Sequence, residues 1–203
     1  MDLATALILG QDGITSGAIY ALLALCILLV FTVTRILLIP IGEFTVYGAL
    51  TMAAIEEGQP TKIVWLLLGL VVFNFFLDVY QQIKTRHGLN GKKHLAMLLY
   101  ALLMVAAVYF LPLSDLSLFS KIILTLAIIT PLGPQIYRTF FQPLVAAPSL
   151  VLLIVSIAVH VSLVGTALLI FGPNGAQTTA FTDKFFEVGV LSINSQTLWI
   201  LFA

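Results

Sequence analysis

The chain has 203 residues, of which 61% are hydrophobic and 9% are charged, whereas ordinary soluble domains have roughly 45–50% apolar and about 25% charged residues. This composition excludes an ordinary soluble domain and indicates a membrane protein. Nine basic and nine acidic residues cancel to a formal net charge of zero, and the sequence has no basic stripe mixed with aromatic residues, which argues against nucleic acid as a partner.

The apolar segments predict membrane-spanning helices. Their hydrophobic residues run on without the strict alternation of barrel strands, and a helix satisfies its own backbone polar groups in lipid. About 20 helical residues cross about 30 Å of hydrocarbon. We therefore predict an all-α fold, a polytopic transmembrane helical bundle of about six to seven spans in one domain over residues 1–203. The apolar runs in chain order are residues 14–33, 36–55, 63–80, 95–111, 118–136 and 149–171, followed by residues 198–203.

Three of these runs carry helix-breaking residues. Pro40, Gly42 and Glu43 interrupt residues 36–55, which predicts a broken or partly re-entrant second helix. Pro112 ends the fourth run, and the fifth meets its prolines and a glycine near its end, where we expect a kink or a stop. Residues 84–94 and 172–189 are polar enough to be loops. The last run is short, so the chain resembles a domain truncated at its C-terminus.

Basic residues predict the orientation, since they favour the cytoplasmic side of short loops. If every run crosses once, six of the nine fall on one side and three on the other, which places the N-terminus outside. Asp2, Asp12 and the absence of a basic leader argue against a cleaved signal peptide. The first side has Arg35, Lys84, Arg86, Lys92, Lys93 and Arg138; the second has Lys62, Lys121 and Lys184.

Glu43 is the leading candidate site residue, because a charge near mid-membrane costs roughly 2.5–3.5 kcal/mol on insertion scales. Gly42 and Gly48 leave room for another backbone near it, and Pro40 frees a helical carbonyl. One interpretation places Glu43 at or near a translocation pathway. The other is a protonated or hydrogen-bonded acid that holds helices together.

The first run carries small residues at every fourth position, at Gly13, Gly17 and Ala21. This spacing puts them on one helix face and allows a second helix to approach closely. Tyr20 lies near the same face. The face is therefore predicted either to pack against a helix or to line a pathway.

Other polar residues give weaker signals. Asp78 lies near the cytoplasmic end of its run beside Gln81, Gln82 and Lys84, which suggests an interfacial role. His160 has no second histidine or carboxylate at ligand spacing in the sequence, so we expect packing or hydrogen bonding and no metal site. No phosphate loop, zinc-protease motif or nucleophile elbow is present, so we expect no catalytic residues and no cofactor.

Three stretches in order resemble the permease subunits of branched-chain amino acid ABC importers. GITSGAIYALLAL at residues 13–25 is similar to the family's opening helix. GEF and YGA at residues 42–44 and 47–49 are similar to its Gly-Glu-Phe-x-x-x-Gly-Ala segment. FQPL at residues 141–144 and LLIFGP at residues 168–173 are similar to its Arg-Pro-Leu loop and closing Phe-Gly-Pro. The segment between residues 62 and 138 has no counterpart in this resemblance.

The resemblance implies a multi-pass permease of the bacterial inner membrane that forms the path for a branched-chain or related amino acid. It also implies a second permease subunit, cytoplasmic ATPase subunits and a periplasmic substrate-binding protein. Such a subunit makes no covalent change to its solute, so we expect no enzyme activity. The path is expected to be lined by Glu43, Gly42, Tyr47, Gly17 and Tyr20. As an N-terminal part without the coupling segment, the chain is not expected to transport alone.

Two other classes stay open. An ion-coupled secondary transporter or channel would use Glu43 as a proton or cation site. A non-transporting membrane scaffold would use the broken helices and the central acid for assembly.

Overall fold

The protein is described by a computed structural model that covers residues 3–85, 91–179, 185–188 and 191–194, together with residues 200 and 202. Within these residues the regular secondary structure is helical apart from one antiparallel hairpin, in which Phe185–Val188 (β1) pairs with Leu191–Asn194 (β2). The longer helices are α1 (Leu3–Thr34), α2 (Ile41–Glu56), α3 (Ile63–Thr85), α4 (Gly91–Phe110), α5 (Leu118–Ile129) and α7 (Ser149–Phe171), and α6 (Leu132–Ile136) is short.

Four helical segments are long and apolar enough to cross a membrane, which confirms the membrane-helix character. They are Thr5–Thr34, Ile63–Tyr80, Leu118–Leu144 and Ser149–Phe171. The apolar helix His94–Phe110 is shorter, and α2 has only 16 residues. The predicted total of six to seven spans and the outside N-terminus stay predictions, and most of residues 198–203 lie outside the described part.

Successive helices after α1 alternate in direction, so that α2, α4 and α7 run one way and α3 and α5 run the other. One end of the bundle, here called the Glu57 end, holds the end of α2, the start of α3 and the end of α7. The opposite, Arg138 end holds the end of α3 and the start of α7. The contacts that set these directions are Trp65–Tyr109, Asp78–His94, Tyr100–Ala127, Asn74–Gln135 and Met52–Thr125.

The buried core joins α2, α3, α4, the α5–α6 segment and α7. Its fully buried large side chains include Tyr47, Ile55, Leu67 and Phe141. By contrast, none of the described residues 5–34 in α1 is buried, so α1 lies outside the core of the described residues.

The fifth run is interrupted where its prolines and glycine predicted a kink or a stop. Helix α5 starts at the Ser117 N-cap, whose hydroxyl accepts a bond from the Ser120 amide, and ends at Ile129. Pro131 then precedes α6, and the chain continues through the π-helical turn Tyr137–Phe141. The helical path thus continues to Leu144, past the predicted stop.

Candidate functional site

The break in the second run lies in front of its helix. Residues 35–40 are not helical, and α2 begins at Ile41, directly after Pro40. Ile36 and Pro40 are buried, as expected for irregular backbone that protein must shield from lipid. The predicted broken helix is therefore a non-helical segment followed by one short, continuous helix, and Gly42 and Glu43 belong to the first turn of that helix and do not interrupt it.

Three polar contacts lay α2 alongside α7 in a parallel register, and each joins residues that are 116 or 117 positions apart. Ile41 is therefore level with residue 158, about nine residues or 13 Å into α7 at 1.5 Å per residue. Helix α2 thus begins part-way along a membrane-length helix. The contacts are Ile39 N to Ser156 Oγ at 2.9 Å, Glu43 Oε1 to His160 Nδ1 at 2.8 Å, and Tyr47 Oη to the Leu163 carbonyl at 2.8 Å.

Glu43 and His160 form a close acid–imidazole pair between α2 and α7. The side chain of Glu43 is 14% exposed and that of His160 is 37% exposed. The 2.8 Å separation lacks the alignment of a hydrogen bond, and Glu43 Oε2 has no partner among the described residues. The carboxylate also lies in the first turn of α2, at the positive end of the helix dipole. A carboxyl group and an imidazole are groups that can exchange a proton at such a separation, and Oε2 is buried without a hydrogen-bond partner among the described residues.

Tyr47 ties the next turn of α2 to α7. Its side chain is 1% exposed, its hydroxyl donates to the Leu163 carbonyl, and its ring lies 6.1 Å from that of Phe171. Leu163 belongs to α7, so the Tyr47 hydroxyl bonds a backbone carbonyl of that helix. Tyr47 therefore holds the two helices in register beside Glu43.

Glu43 and Tyr47 line a common cavity of about 270 Å³, here called the inner cavity. Its other walls are mostly aliphatic and include Leu50 of α2 and Val164 and Leu168 of α7. A carboxylate and a phenol in an otherwise apolar cleft are typical of small-molecule sites. The structure thus brings together two of the five residues predicted to line a path.

The other three predicted path residues lie elsewhere. Gly42 precedes Glu43 on α2 but is not part of the cavity lining, and a Cβ at Gly42 would meet nothing within 4 Å. A Cβ at Gly17 would also meet nothing, and Tyr20 is 71% exposed. The small-residue face of α1 is therefore not packed against another helix of the described chain.

A second polar cluster joins α3 to the α6 region. The buried Asn74 donates to the Gln135 carbonyl oxygen and to its Oε1 at 3.1 and 2.7 Å, and accepts from the Thr139 hydroxyl at 3.1 Å. One turn on, Asp78 pairs with Arg138 at 2.6 Å and with His94 at 3.2 Å. The side chains of Gln81, Gln82 and Lys84, expected near Asp78, lie outside the described part.

Sequence reasoning missed Ser156 and did not connect His160 with Glu43. Both lie more than 110 positions from their partners, and no local spacing signals such a contact. The available signal was a polar residue on each of two successive turns of α7, at Ser156 and His160. Within the described residues, no group of three His, Cys, Asp or Glu side chains could hold a metal ion.

Ser156→Ala is expected to destabilise the protein by about 1–2 kcal/mol, because the Ile39 amide then loses its acceptor inside the helix bundle. Ser162→Ala is the matched control, since among the described residues that hydroxyl bonds the Ala158 carbonyl of its own helix and no other element. Thermal or denaturant unfolding in detergent micelles measures both. Equal stability of the two variants would show that Ser156 does not hold the start of α2.

Comparisons of the chain with protein-family models, with curated proteins and with solved structures find no match.

Proposed function

We propose that this chain is a membrane permease subunit in which the groove between α2 and α7 forms part of the path for a small solute. The observation that carries the proposal is the start of α2 part-way along α7, with Glu43 in its first turn and on the wall of the inner cavity. Interrupted helices whose N-termini face a cavity are a recurrent way to build solute sites at membrane depth.

The proposed solute is a branched-chain or related amino acid, taken up at the expense of ATP on separate cytoplasmic subunits. The aliphatic walls of the inner cavity suit an aliphatic side chain, and Glu43 Oε2 suits an ammonium group. The ATPase subunits, a second permease subunit, a periplasmic binding protein and a location in the bacterial inner membrane follow from the sequence resemblance. The exposed apolar surface of α1 is available to a second permease subunit or to lipid.

An ion-coupled secondary transporter is the second candidate, and the Glu43–His160 contact favours it. A carboxylate and an imidazole 2.8 Å apart can take up a proton on one side of a membrane and release it on the other if access alternates. In this case the proton gradient would drive the solute.

Uptake of radiolabelled L-leucine by intact cells tests the proposal and separates the candidates. We expect deletion of the gene to abolish the part of leucine uptake that this protein mediates. ATP depletion is expected to stop the same part of the uptake, whereas a protonophore added at constant ATP is expected to leave most of it. Loss of leucine uptake with the protonophore alone would support ion coupling. Unchanged uptake of leucine, isoleucine and valine after deletion would contradict amino acid transport.

A further inference from the structure

A second cavity, of about 280 Å³, lies at the Glu57 end of the same groove and is here called the outer cavity. Its floor is apolar and includes Leu50 and Ala54 of α2 and Ile170 and Phe171 of α7. Leu50 also lines the inner cavity. The two cavities therefore follow one another along α2 and share a wall.

The rim of the outer cavity carries one acid and one base. Glu57, at the end of α2, and Lys62, directly before α3, both line it and are both exposed. Among the described residues, neither has an ion-pair partner within 4.0 Å. Gln59 and Asn174 add amide groups to the rim. The charges of Glu57 and Lys62 are thus available to a ligand that carries both signs.

Thr61 gives an independent indication of a ligand. This residue also lines the outer cavity, is only 2% exposed, and its hydroxyl has no hydrogen-bond partner among the described residues. A buried hydroxyl without a partner is unfavourable, and such a group in a native protein calls for an explanation. Because the hydroxyl oxygen itself is buried, a polar ligand group in the outer cavity would supply the missing bond once the Thr61 side chain turns toward it.

We propose that the outer cavity binds a small zwitterion with an aliphatic side chain, the chemistry of a neutral aliphatic α-amino acid. Its ammonium group pairs with the Glu57 carboxylate. Its carboxylate accepts from the Lys62 ammonium and from the Thr61 hydroxyl, near the positive end of α3. Its side chain lies on the floor formed by Leu50, Ala54 and Phe171.

This inference rests on the proposed function and deepens it, because it gives the solute a first site before the inner cavity. The Glu57 end is the outer side in the predicted orientation. The order of the sites is then the outer cavity, Leu50, and the inner cavity with Glu43. A volume of about 280 Å³ is just below the range of drug-sized ligand pockets, about 300–1,000 Å³, which fits a single amino acid.

Calorimetry on the full chain in lipid nanodiscs tests the proposal with three probes. L-Leucine carries both charges, L-leucinamide lacks the carboxylate, and 4-methylpentanoate lacks the ammonium group. We expect leucine to bind on the order of tenfold more tightly than either analogue, because each analogue leaves one charge of the rim unpaired. Failure of leucine to bind at millimolar concentration, or equal binding of all three probes, would overturn the proposal.

Two neutralising variants assign the charges. Lys62→Gln is expected to lower the affinity for leucine on the order of tenfold but to leave the affinity for leucinamide unchanged. Glu57→Gln is expected to leave the affinity for 4-methylpentanoate unchanged. Lys121→Gln is the matched control, since Lys121 lies at the same end and bonds the Ser114 carbonyl outside the cavity. Leucine binding that matches the parent in both cavity variants would contradict the site.

Thr61→Val provides a readout that does not depend on charge. Without ligand, the variant is expected to be at least as thermally stable as the parent, since it removes the unpartnered hydroxyl, while the stabilisation by leucine falls. Undiminished stabilisation by leucine would contradict a role for Thr61 in binding. If Thr61→Val does not fold, the exposed Glu57 and Lys62 variants still decide the question.

Transport assays separate a failure of this inference from a failure of the proposed function. If the variants at Glu57 and Lys62 take up leucine like the parent while Glu43→Gln does not, the outer site is wrong and the permease proposal stands. If deletion of the gene leaves uptake unchanged, the permease proposal itself is wrong.

Discussion

Glu43→Gln is expected to lower solute uptake at least about tenfold, equivalent to about 1.4 kcal/mol, while the amount of protein in the membrane changes less than about twofold. The amide has nearly the same shape as the acid, so the helix start is preserved. It cannot carry a negative charge or exchange a proton with His160. Uptake measured per amount of membrane-inserted protein gives the ratio.

Glu56→Gln is the matched control for this prediction. It makes the same chemical change on the same helix, but Glu56 lies at the Glu57 end and accepts from the backbone amide and hydroxyl of Thr179. We expect its uptake to stay within about twofold of the parent, equivalent to less than about 0.5 kcal/mol. Equal losses of uptake and of inserted protein in Glu43→Gln would instead assign Glu43 to helix packing.

The same variant separates the two energy sources. In an ion-coupled carrier, Glu43→Gln would abolish accumulation against a gradient but keep exchange of solute between equal concentrations, because exchange moves no net proton. In an ATP-driven permease, a solute contact at Glu43 would be lost in every mode of transport. Counterflow in membrane vesicles, measured beside uphill uptake, therefore shows whether the Glu43–His160 pair carries a proton.

Asn74→Leu is expected to cost about 3 kcal/mol of stability, because the buried Gln135 amide oxygen loses its donor and the Thr139 hydroxyl loses one of its acceptors. Both Asn74 and Gln135 are less than 5% exposed. Asn74 also borders a polar cavity of about 200 Å³ beside Asp78 and Arg138, but the bond between the Asn74 amide and Gln135 Oε1 is made between two buried side chains. Denaturant unfolding in micelles measures the loss.

The double variant Asn74→Leu, Gln135→Leu is expected to recover at least about half of this loss, about 1.5 kcal/mol, since it removes both polar partners and leaves apolar groups of similar size. Thr139 keeps its bond to the Gln135 carbonyl in both variants. A double-mutant cycle isolates the coupling between the two side chains. Strictly additive losses would show that the Asn74–Gln135 contact does not stabilise the fold.

The polar contacts of the bundle have two different surroundings. Asn74, Gln135 and Thr139 satisfy one another inside the interface of α3 and α6, which suits a structural role. Glu43 and His160 keep a free carboxylate oxygen beside a cavity, which suits a role with a ligand. The two clusters thus differ in how their buried polar groups are satisfied. The Asn74 cluster bonds within itself, whereas the Glu43–His160 pair leaves the Oε2 atom of Glu43 without a hydrogen-bond partner among the described residues.

The amino acid sequence by itself determined the membrane-helix character and most helix boundaries. The predicted runs 63–80 and 149–171 coincide with apolar helices in the structure, because an uninterrupted apolar run of bilayer length has one stable form in lipid. The prolines at positions 40, 112 and 131 mark helix ends for an equally local reason, since proline lacks the amide that a helix interior requires.

Only the tertiary structure decided which residues meet. The parallel register of α2 and α7 brings Glu43 to His160 and Ile39 to Ser156 across more than 110 residues. The α1 face that holds Gly17 and Tyr20, by contrast, is not covered by the other described residues. The local sequence places an acid within an apolar run, and a charge at that depth is costly. The residue that lies against the acid is set by long-range packing of helices, which leaves no local pattern in the sequence.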